Sequence, residues 1–429
     1  MRDVIGAPAG WLARAIRDKK ISSVEVVRAH LEHIHTVNPR LNAVVFATAE
    51  SAIKEARAAD RHNKSKNDLG PLHGVPFTAK DIFNTAGLPT TAGLRMLKSH
   101  VPDHDATVVA RMRQAGAILI GKTNCPPGGV GGDSMNPLHG GTRNPYDVTR
   151  SPGGSSGGEA AIVAAGGSPL GLGSDSGGSL RMPAHYCGIA TLKPTAGLVP
   201  STGAYGLPGG LSDPRSQVGP MARFVSDLAL ALPVLAGPDG VDSAVVPVPL
   251  AKRTPQLDGL RVAWYADDGI NKPTAPTAAT VRSAAKALAA AGCVLTEERP
   301  PGLTEAHAVT LGYWGLRHMS HERLYRRWDG FRSGLLQFMA RFDLVLSPVA
   351  PDVAPLYRTK LNGDHQFSYT IPYSLTGNPC VVVRAGTSPE NLPIGVQIVA
   401  GNWHDDMALR AARAIERALG GWRPASVIG

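Results

Sequence analysis

Apolar and polar positions in the first 60 residues follow helical spacing, then strand spacing, then helical spacing again. Ser22 and Glu25 form an S-x-x-E capping box. Apolar residues recur at helical spacing behind this box: Val24, Val27, Leu31 and Ile34. This pattern predicts a helix that begins at Ser22 and is closed by Pro39. A short buried strand over 41–46 and a second helix over 49–60 are predicted to follow.

The same order of helix and strand recurs further along the chain. Residues 107–115 predict a helix that leads into a strand at 117–121, and residues 157–165 predict a helix before a strand at 169–173. Later apolar runs predict strands at 260–264, 344–346, 380–383 and 394–399, and helices at about 280–291 and 405–419. Repeated helix and strand units predict an α/β fold, with a central mixed, mostly parallel sheet covered on both faces by helices.

The chain shows no internal repeat and no flexible linker, so one domain over residues 1–429 is expected. Within it we distinguish a core at about 70–235, a variable excursion at about 238–342, and C-terminal strands and a helix at about 343–420. Aromatic residues crowd between positions 313 and 338. We interpret them as core and pocket wall rather than as a cofactor site.

Composition indicates a globular enzyme-sized protein, since 43% of residues are apolar and 18% are charged. The net charge of +10 raises the question of nucleic acid, but the basic residues occur singly or in short pairs, so no nucleic-acid binding is expected. The four cysteines are too scattered for a disulfide framework or a CxxC metal site. With no apolar signal-peptide core and no run of about 18 apolar residues, a cytoplasmic protein without membrane contact is expected.

The candidate catalytic residues are concentrated in two segments rich in glycine and serine, which we call the two corners. The segment SPGGSSGGEAA begins at Ser151 and GLGSDSGGSLRMPA begins at Gly171. Glycine allows the backbone to approach a ligand closely, and successive amides can then form a nest for an anion. Neither corner matches a phosphate-binding loop, a dinucleotide fingerprint or a G-x-S-x-G elbow. A nucleophilic serine here therefore needs a base other than a histidine of a triad.

Lys80 is a candidate for that base because it ends the apolar run over 75–79. Burial favours the neutral form of an amine, and a neutral lysine can accept a proton from a hydroxyl group. The alternative interpretation is a solvated surface lysine after a strand.

These segments together resemble the amidase-signature family, including fatty acid amide hydrolases and malonamidases. The lysine of AKD lies 75 residues before Ser155, and Ser155 lies 24 residues before Ser179, which is similar to the family spacing. Further similar segments follow in the family order: GKTNCPP from Gly121, NPLHGGTRNPYD from Asn136, CGIATLKPTAGLVP from Cys187, GPMARFVSDLALALPVLAGPD from Gly219 and LPIGVQIVAGNWHDD from Leu392. The resemblance covers most of residues 5–420.

The resemblance implies a serine relay. Ser179 is expected to be the nucleophile, and Ser155, which follows a cis peptide bond after Gly154 in the family, is expected to pass on its proton. Lys80 is expected to be the final base. The family requires no cofactor and no metal for this chemistry, so none is expected here.

Further residues carry over from the same resemblance. The expected oxyanion hole consists of four backbone amides, those of Ser176, Gly177, Gly178 and Ser179. Asp175 and Arg181 are expected to orient the nucleophile loop, with a purely structural ion pair as the alternative. Ser156 is assigned to hydrogen bonding within its corner.

The sequence specifies the substrate less clearly than the catalytic residues. The family's acyl pocket is expected around Gly128, Gly129 and Val130, where many glycines indicate an open pocket or a tight backbone path. We expect a small, uncharged, apolar or aromatic amide, carbamate, anilide or ester, and not a lipid delivered from a membrane. The alternatives are the amidase component of a glutamine amidotransferase, which works with partners, and an inactive amidase-like binding scaffold. The sequence does not decide between a monomer and a homodimer.

Overall fold

The protein is described by a computed structural model that covers residues 2–65, 69–205, 215–250, 256–315, 318–359 and 366–428. The helices of these residues are α1 (Arg2–Gly6), α2 (Ala9–Arg17), α3 (Ser23–Leu41), α4 (Ala49–Ser65), α5 (Thr107–Gln114), α6 (Gly157–Ala164), α7 (Arg181–Cys187), α8 (Val225–Leu235), α9 (Ala275–Ala290), α10 (Leu303–Tyr313), α11 (His321–Met339), α12 (Ile371–Leu375) and α13 (Asp405–Leu419). The strands are β1 (Val44–Ala47), β2 (Pro76–Lys80), β3 (Ile118–Thr123), β4 (Met135–Asn136), β5 (Gly140–Gly141), β6 (Leu170–Asp175), β7 (Ala190–Lys193), β8 (Gln217–Ala222), β9 (Arg261–Trp264), β10 (Val294–Glu297), β11 (Leu344–Pro348), β12 (Cys380–Thr387) and β13 (Pro393–Ala400).

Eleven strands form one sheet in the order β1-β3-β2-β6-β8-β7-β12-β13-β11-β9-β10. The α/β fold with a mixed sheet between helices is confirmed. Strand β2 pairs in parallel with β3 and β6, and β9 pairs in parallel with β10 and β11. The other six pairs are antiparallel. The parallel share is smaller than expected because strands without a helical crossover, such as β12 and β13 across a short turn, occupy the middle of the sheet.

Side chains alternate between the two faces of the sheet and pack against different helices. On β12, Val381 and Val383 belong to the core formed with α8, α9 and α13. Val382 between them packs with residues of α6 and α7 on the opposite face. Each face of the sheet therefore has its own helical layer, and α6 and α7 lie on the same side.

Helix α3 confirms the capping box, since Ser22 accepts from the Glu25 amide at 3.1 Å and the Glu25 carboxylate accepts from the Ser22 amide at 2.8 Å. The prediction that Pro39 closes this helix is wrong. Pro39 lies inside the last turn, and the helix ends at Leu41. Its C-cap is Asn42, which has a left-handed backbone with φ of 51°. Consequently the following strand begins at Val44 rather than at residue 41.

The predicted excursion over 238–342 contributes to the main sheet. Strands β9 and β10 extend its edge, and α9 packs against β11, β12 and β13. The continuous sheet supports the single domain, which stays a prediction. No helix of the described residues is long and apolar enough to cross a membrane.

Candidate active site

Lys80 is the last residue of β2, and its side chain is fully buried. Its Nζ donates to Ser155 Oγ at 2.6 Å and to Ser174 Oγ at 2.9 Å. Burial lowers the pKa of Lys80 to about 8 from an ordinary value of 10.5, because a low-dielectric interior disfavours the ammonium form. The structure thus places this lysine in contact with one of the two serines predicted to act with it.

Ser155 lies in the loop before α6 and is also buried. The Gly154–Ser155 peptide bond is cis, as the resemblance implied. Gly154 passes close to a neighbouring loop, since a Cβ at this position would lie 2.6 Å from the Asp133 amide nitrogen. The tight path of this loop aims the Ser155 hydroxyl at Lys80.

Ser156 joins the two glycine and serine corners. Its amide donates to the Ser179 carbonyl at 3.1 Å, and its hydroxyl donates to the Ser174 carbonyl at 3.2 Å. The Ser174 amide in turn donates to Ser156 Oγ at 3.3 Å. The segments that carry Ser155 and Ser179 are therefore held side by side, and Ser179 lies half-buried just before α7.

Asp175 and Arg181 form a fully buried, two-pronged ion pair around the Ser179 loop. Arg181 Nε donates to Asp175 Oδ2 at 2.9 Å and Nη2 donates to Oδ1 at 3.0 Å. Burial alone would raise the pKa of Asp175, but the charge and hydrogen bonds of Arg181 hold that pKa below its ordinary value. The pair remains charged and fixes both ends of the loop between β6 and α7.

The peptide between Gly177 and Gly178 is held on both sides. The Gly178 amide donates to Asp175 Oδ1 at 2.7 Å, and the Gly177 carbonyl accepts from the Thr370 hydroxyl. The Gly178 amide is thus already engaged by a carboxylate, which is at odds with its predicted role as an oxyanion donor. The amides of Ser176, Gly177 and Ser179 stay the predicted donors.

Aromatic side chains border this corner. A Cβ at Gly177 would lie 3.1 Å from the Trp314 ring, and one at Gly178 would lie 3.1 Å from the Phe367 ring. Trp314 and Phe367 meet edge to face with ring centroids 6.4 Å apart. The interpretation of aromatics in the 313–338 stretch as pocket wall fits Trp314, whereas Trp328 and Phe331 lie in a core beside α12.

The predicted acyl-pocket segment forms a tight turn. Gly128 and Gly129 have φ of 65° and 70°, a backbone region that favours glycine. A Cβ at Gly129 would lie 3.7 Å from Lys80 Nζ, so this turn borders the lysine. Val130 is 80% exposed. Of the two explanations offered by the glycine content, the tight backbone path fits Gly128 and Gly129.

Sequence reasoning missed three side chains at this site, namely Ser174, Glu159 and Thr370. Ser174 shares the Lys80 amine, and Thr370 reaches the Gly177 carbonyl from the C-terminal part of the chain. Glu159 is a fully buried carboxylic acid within the segment SPGGSSGGEAA, where an acid inside an apolar run was the available signal. Thr370 has no such signal, because its contact depends on chain packing across nearly 200 residues.

The described residues hold no group of three or more histidine, cysteine, aspartate or glutamate side chains arranged for a metal ion. The four cysteines are buried and unpaired with one another. Lys80 contacts two serine hydroxyls, and an amine bonded to hydroxyl groups suits proton transfer and acyl chemistry.

The α/β sheet carries a buried lysine that is hydrogen-bonded to two serine hydroxyls beside a glycine-rich corner. The family model described as Amidase matches residues 25–327 and 317–409. The chain belongs to the amidase family and is an amide-hydrolysing enzyme.

Relatives span almost the whole chain. It is 34% identical to a glutamyl-tRNA(Gln) amidotransferase subunit of Acidothermus cellulolyticus, over 97% of this chain and 95% of that one. It is 33% identical to the acylamidase of Rhodococcus erythropolis, over 94% of both chains, and 35% identical to the indoleacetamide hydrolase of Bradyrhizobium diazoefficiens, over 95% of this chain and 86% of that one. A solved structure of 6-aminohexanoate cyclic dimer hydrolase with its substrate matches with a TM-score of 0.86 and 28% identity, over 100% of both chains.

Replacement of Asp175 by alanine is expected to lower the free energy of unfolding by about 3–5 kcal/mol, because it leaves the Arg181 guanidinium buried without its carboxylate. Urea denaturation followed by tryptophan fluorescence measures this loss. The matched control is Glu322→Ala, which removes the acid of the exposed Glu322–Arg326 pair and should change stability little. Equal effects of the two substitutions would contradict a structural role for the buried pair.

Proposed function

We propose that this enzyme hydrolyses the amide bond of a small, uncharged substrate with an apolar or aromatic group, through an acyl-enzyme on Ser179. The observation that carries the proposal is the 2.6 Å hydrogen bond from the buried Lys80 amine to Ser155, beside the corner that holds Ser179. A buried amine with a lowered pKa is a base that can accept a serine proton near neutral pH.

The proposed relay balances protons at each step. Ser179 Oγ attacks the substrate carbonyl carbon while its proton passes to Ser155, and the Ser155 proton passes to Lys80. The tetrahedral oxyanion accepts hydrogen bonds from backbone amides at the corner. The Lys80 proton then returns through Ser155 to the departing nitrogen, and the carbon–nitrogen bond breaks. Water hydrolyses the acyl-enzyme by the same path, and Ser179 regains its proton.

The walls of the corner support an apolar or aromatic substrate. Trp314 and Phe367 border Gly177 and Gly178. Tyr205 lies near Gly128 in the predicted acyl-pocket turn, where a Cβ would be 3.9 Å from its ring. Aromatic rings offer large apolar area at low entropic cost. The names of two relatives, acylamidase and indoleacetamide hydrolase, point in the same direction. Carbamates, anilides and esters present a carbonyl to the same groups and belong to the proposed substrate range.

The alternative is the amidase component of a glutamine-dependent amidotransferase, and it is favoured by the 34% identity to a chain of such an enzyme over nearly the full length. Glutamine carries two charges, which the aromatic wall does not match. An assay of glutaminase activity by the purified chain alone, and with added partner proteins, separates this alternative from an independent amidase. The inactive scaffold is disfavoured because both serines and the lysine are present, and Lys80 is hydrogen-bonded to Ser155.

Ser179→Ala is expected to lower kcat for any hydrolysed amide by about 10³-fold or more, because it removes the nucleophile, and Lys80→Ala should be nearly as severe. Matched controls are Ser51→Ala and Lys54→Ala on α4, away from the site, which should retain full activity. Release of the amine from a panel of aryl and alkyl amides is measured. Full residual turnover in folded Ser179→Ala would overturn the assignment of the nucleophile.

The pH dependence of kcat/KM should show an acid limb set by Lys80. Below its pKa of about 8 the amine carries a proton and cannot accept another, so activity should rise with pH and level off above about 8. Initial rates across pH 5–10, with checks of protein stability at each pH, measure this limb. A rate that falls as pH rises through this range would contradict a lysine base.

Trp314→Ala is expected to lower kcat/KM for a phenylacetyl amide by about tenfold, since the substrate ring loses an aromatic contact. The loss for acetamide should be much smaller, because its methyl group cannot reach the same wall. Trp11→Ala is the matched control, since Trp11 is exposed on α2 in the N-terminal part of the chain. Equal losses for both substrates would argue against a role of Trp314 in selecting aromatic groups.

A further inference from the structure

Glu159 lies in the first turn of α6, and its side chain is fully buried in a closed polar site, called the carboxylate seat below. Thr123 donates to Oε2 at 2.8 Å, and Thr78 donates to Oε1. Gly171 on β6 leaves the remaining space, since a Cβ there would overlap the Glu159 carboxyl group. Three strands of the sheet thus contribute to a closed seat for one acid, which the proposed relay does not use.

The seat lies next to Lys80. Thr78 and Lys80 are two residues apart on β2, so their side chains leave the same face of the sheet. Thr78 reaches Glu159 on α6, and Lys80 reaches Ser155 in the loop just before α6. The carboxyl group and the amine therefore sit together beneath the start of this helix, and each contributes to the electrostatic environment of the other.

Lys80 has two other ionisable neighbours, Cys125 after β3 and Asp175 at the end of β6. Burial raises the pKa of Cys125 to about 12, so this thiol stays neutral near neutral pH. Asp175 is charged, but its charge is balanced by Arg181 in a direct ion pair. The more distant Asp81 and Lys122, which face Cys125, neutralise each other at 3.1 Å.

Glu159 differs from these neighbours because its charge can change in the working range. Burial raises the pKa of Glu159 to about 8, although the two threonine hydrogen bonds and Lys80 favour the carboxylate. A carboxylate near Lys80 stabilises the ammonium form, whereas a protonated carboxyl group leaves the amine in its neutral, basic form.

We propose that Glu159 is a positioning residue that sets the protonation equilibrium of Lys80. This inference rests on the proposed function, in which Lys80 is the base. Glu159 touches neither Ser179 nor the reacting carbonyl in this scheme. It acts through Lys80: its carboxylate stabilises the ammonium that forms when the relay delivers a proton, and limits how far the free amine persists toward low pH.

Glu159→Gln tests the proposal because the amide keeps the size of the side chain but cannot carry charge. Its oxygen can accept from one threonine hydroxyl, and its NH2 group can donate to the oxygen of the other. The readout is the rate of Ser179 labelling by a fluorophosphonate between pH 5 and 10. Without the carboxylate the Lys80 ammonium loses a stabilising charge, so the acid limb should move to lower pH by about one unit. A merely structural role would lower the labelling rate at every pH without moving the limb.

Two further variants keep the test decisive. Glu416→Gln makes the same chemical change at a half-buried acid of α13 that accepts from the Val225 amide, and the acid limb of its pH profile should coincide with that of the wild type. Thr123→Val removes one donor to the Glu159 carboxylate, so the limb should move in the same direction by a smaller amount, and it decides the matter if Glu159→Gln does not fold. The proposal is overturned if the acid limb of the labelling profile stays in place in both Glu159→Gln and Thr123→Val when these variants are folded. It is also overturned if the limb moves equally far in Glu416→Gln. Absence of labelling in the wild type would instead overturn the proposed function itself.

Discussion

A primary amine without contact to solvent is the constraint on which this site depends. An ammonium group in the interior is costly unless a negative charge or several acceptors compensate for it. Lys80 meets two serine hydroxyls, and its pKa falls toward neutrality. Burial therefore turns an amine that is normally protonated into a base that can exchange a proton with a serine near neutral pH.

The surrounding fold serves to hold this amine and its serines in register. Strand β2 delivers Lys80, strand β6 delivers Ser174, and the loop before α6 delivers Ser155. The nucleophile corner is fixed by Arg181, which donates to the Thr370 carbonyl at 2.8 Å and to Ser374 Oγ at 2.7 Å as well as to Asp175. Residues of the C-terminal third thereby hold a loop that lies about 190 residues earlier in the chain.

Features of the fold that depend on neighbouring residues in the sequence could be predicted. The capping box at Ser22 specifies the start of α3, and continuous apolar runs identify β12 and β13. The end of α3 could not be predicted from Pro39, because a proline in the last turn loses only one hydrogen bond while Asn42 can adopt the left-handed cap. Antiparallel pairing in the middle of the sheet depends on contacts between distant segments that periodicity does not encode.

The candidate site shows the same division. Motif spacing in the sequence is sufficient to single out Ser155, Ser179 and Lys80. The structure brings Lys80 and Ser155 into contact. Gly178 shows where motif reasoning stops, because only the fold reveals that Asp175 already accepts from its amide. The aromatic wall was expected in general terms, but which of the rings face Gly177 depends on how α10 and residue 367 pack.

The ionisation of Lys80 tests its role as the base more directly than any substitution. Lysine labelled with ¹⁵N allows its side-chain resonance to be followed by NMR across pH 5–11, with assignment from the resonance lost in Lys80→Arg. If Lys80 is the base, its titration midpoint lies near 8, and a fraction of the amine is already neutral at neutral pH. A midpoint at the ordinary value of 10.5 would contradict this role, because the residue would then be a charged structural lysine rather than the base of the reaction.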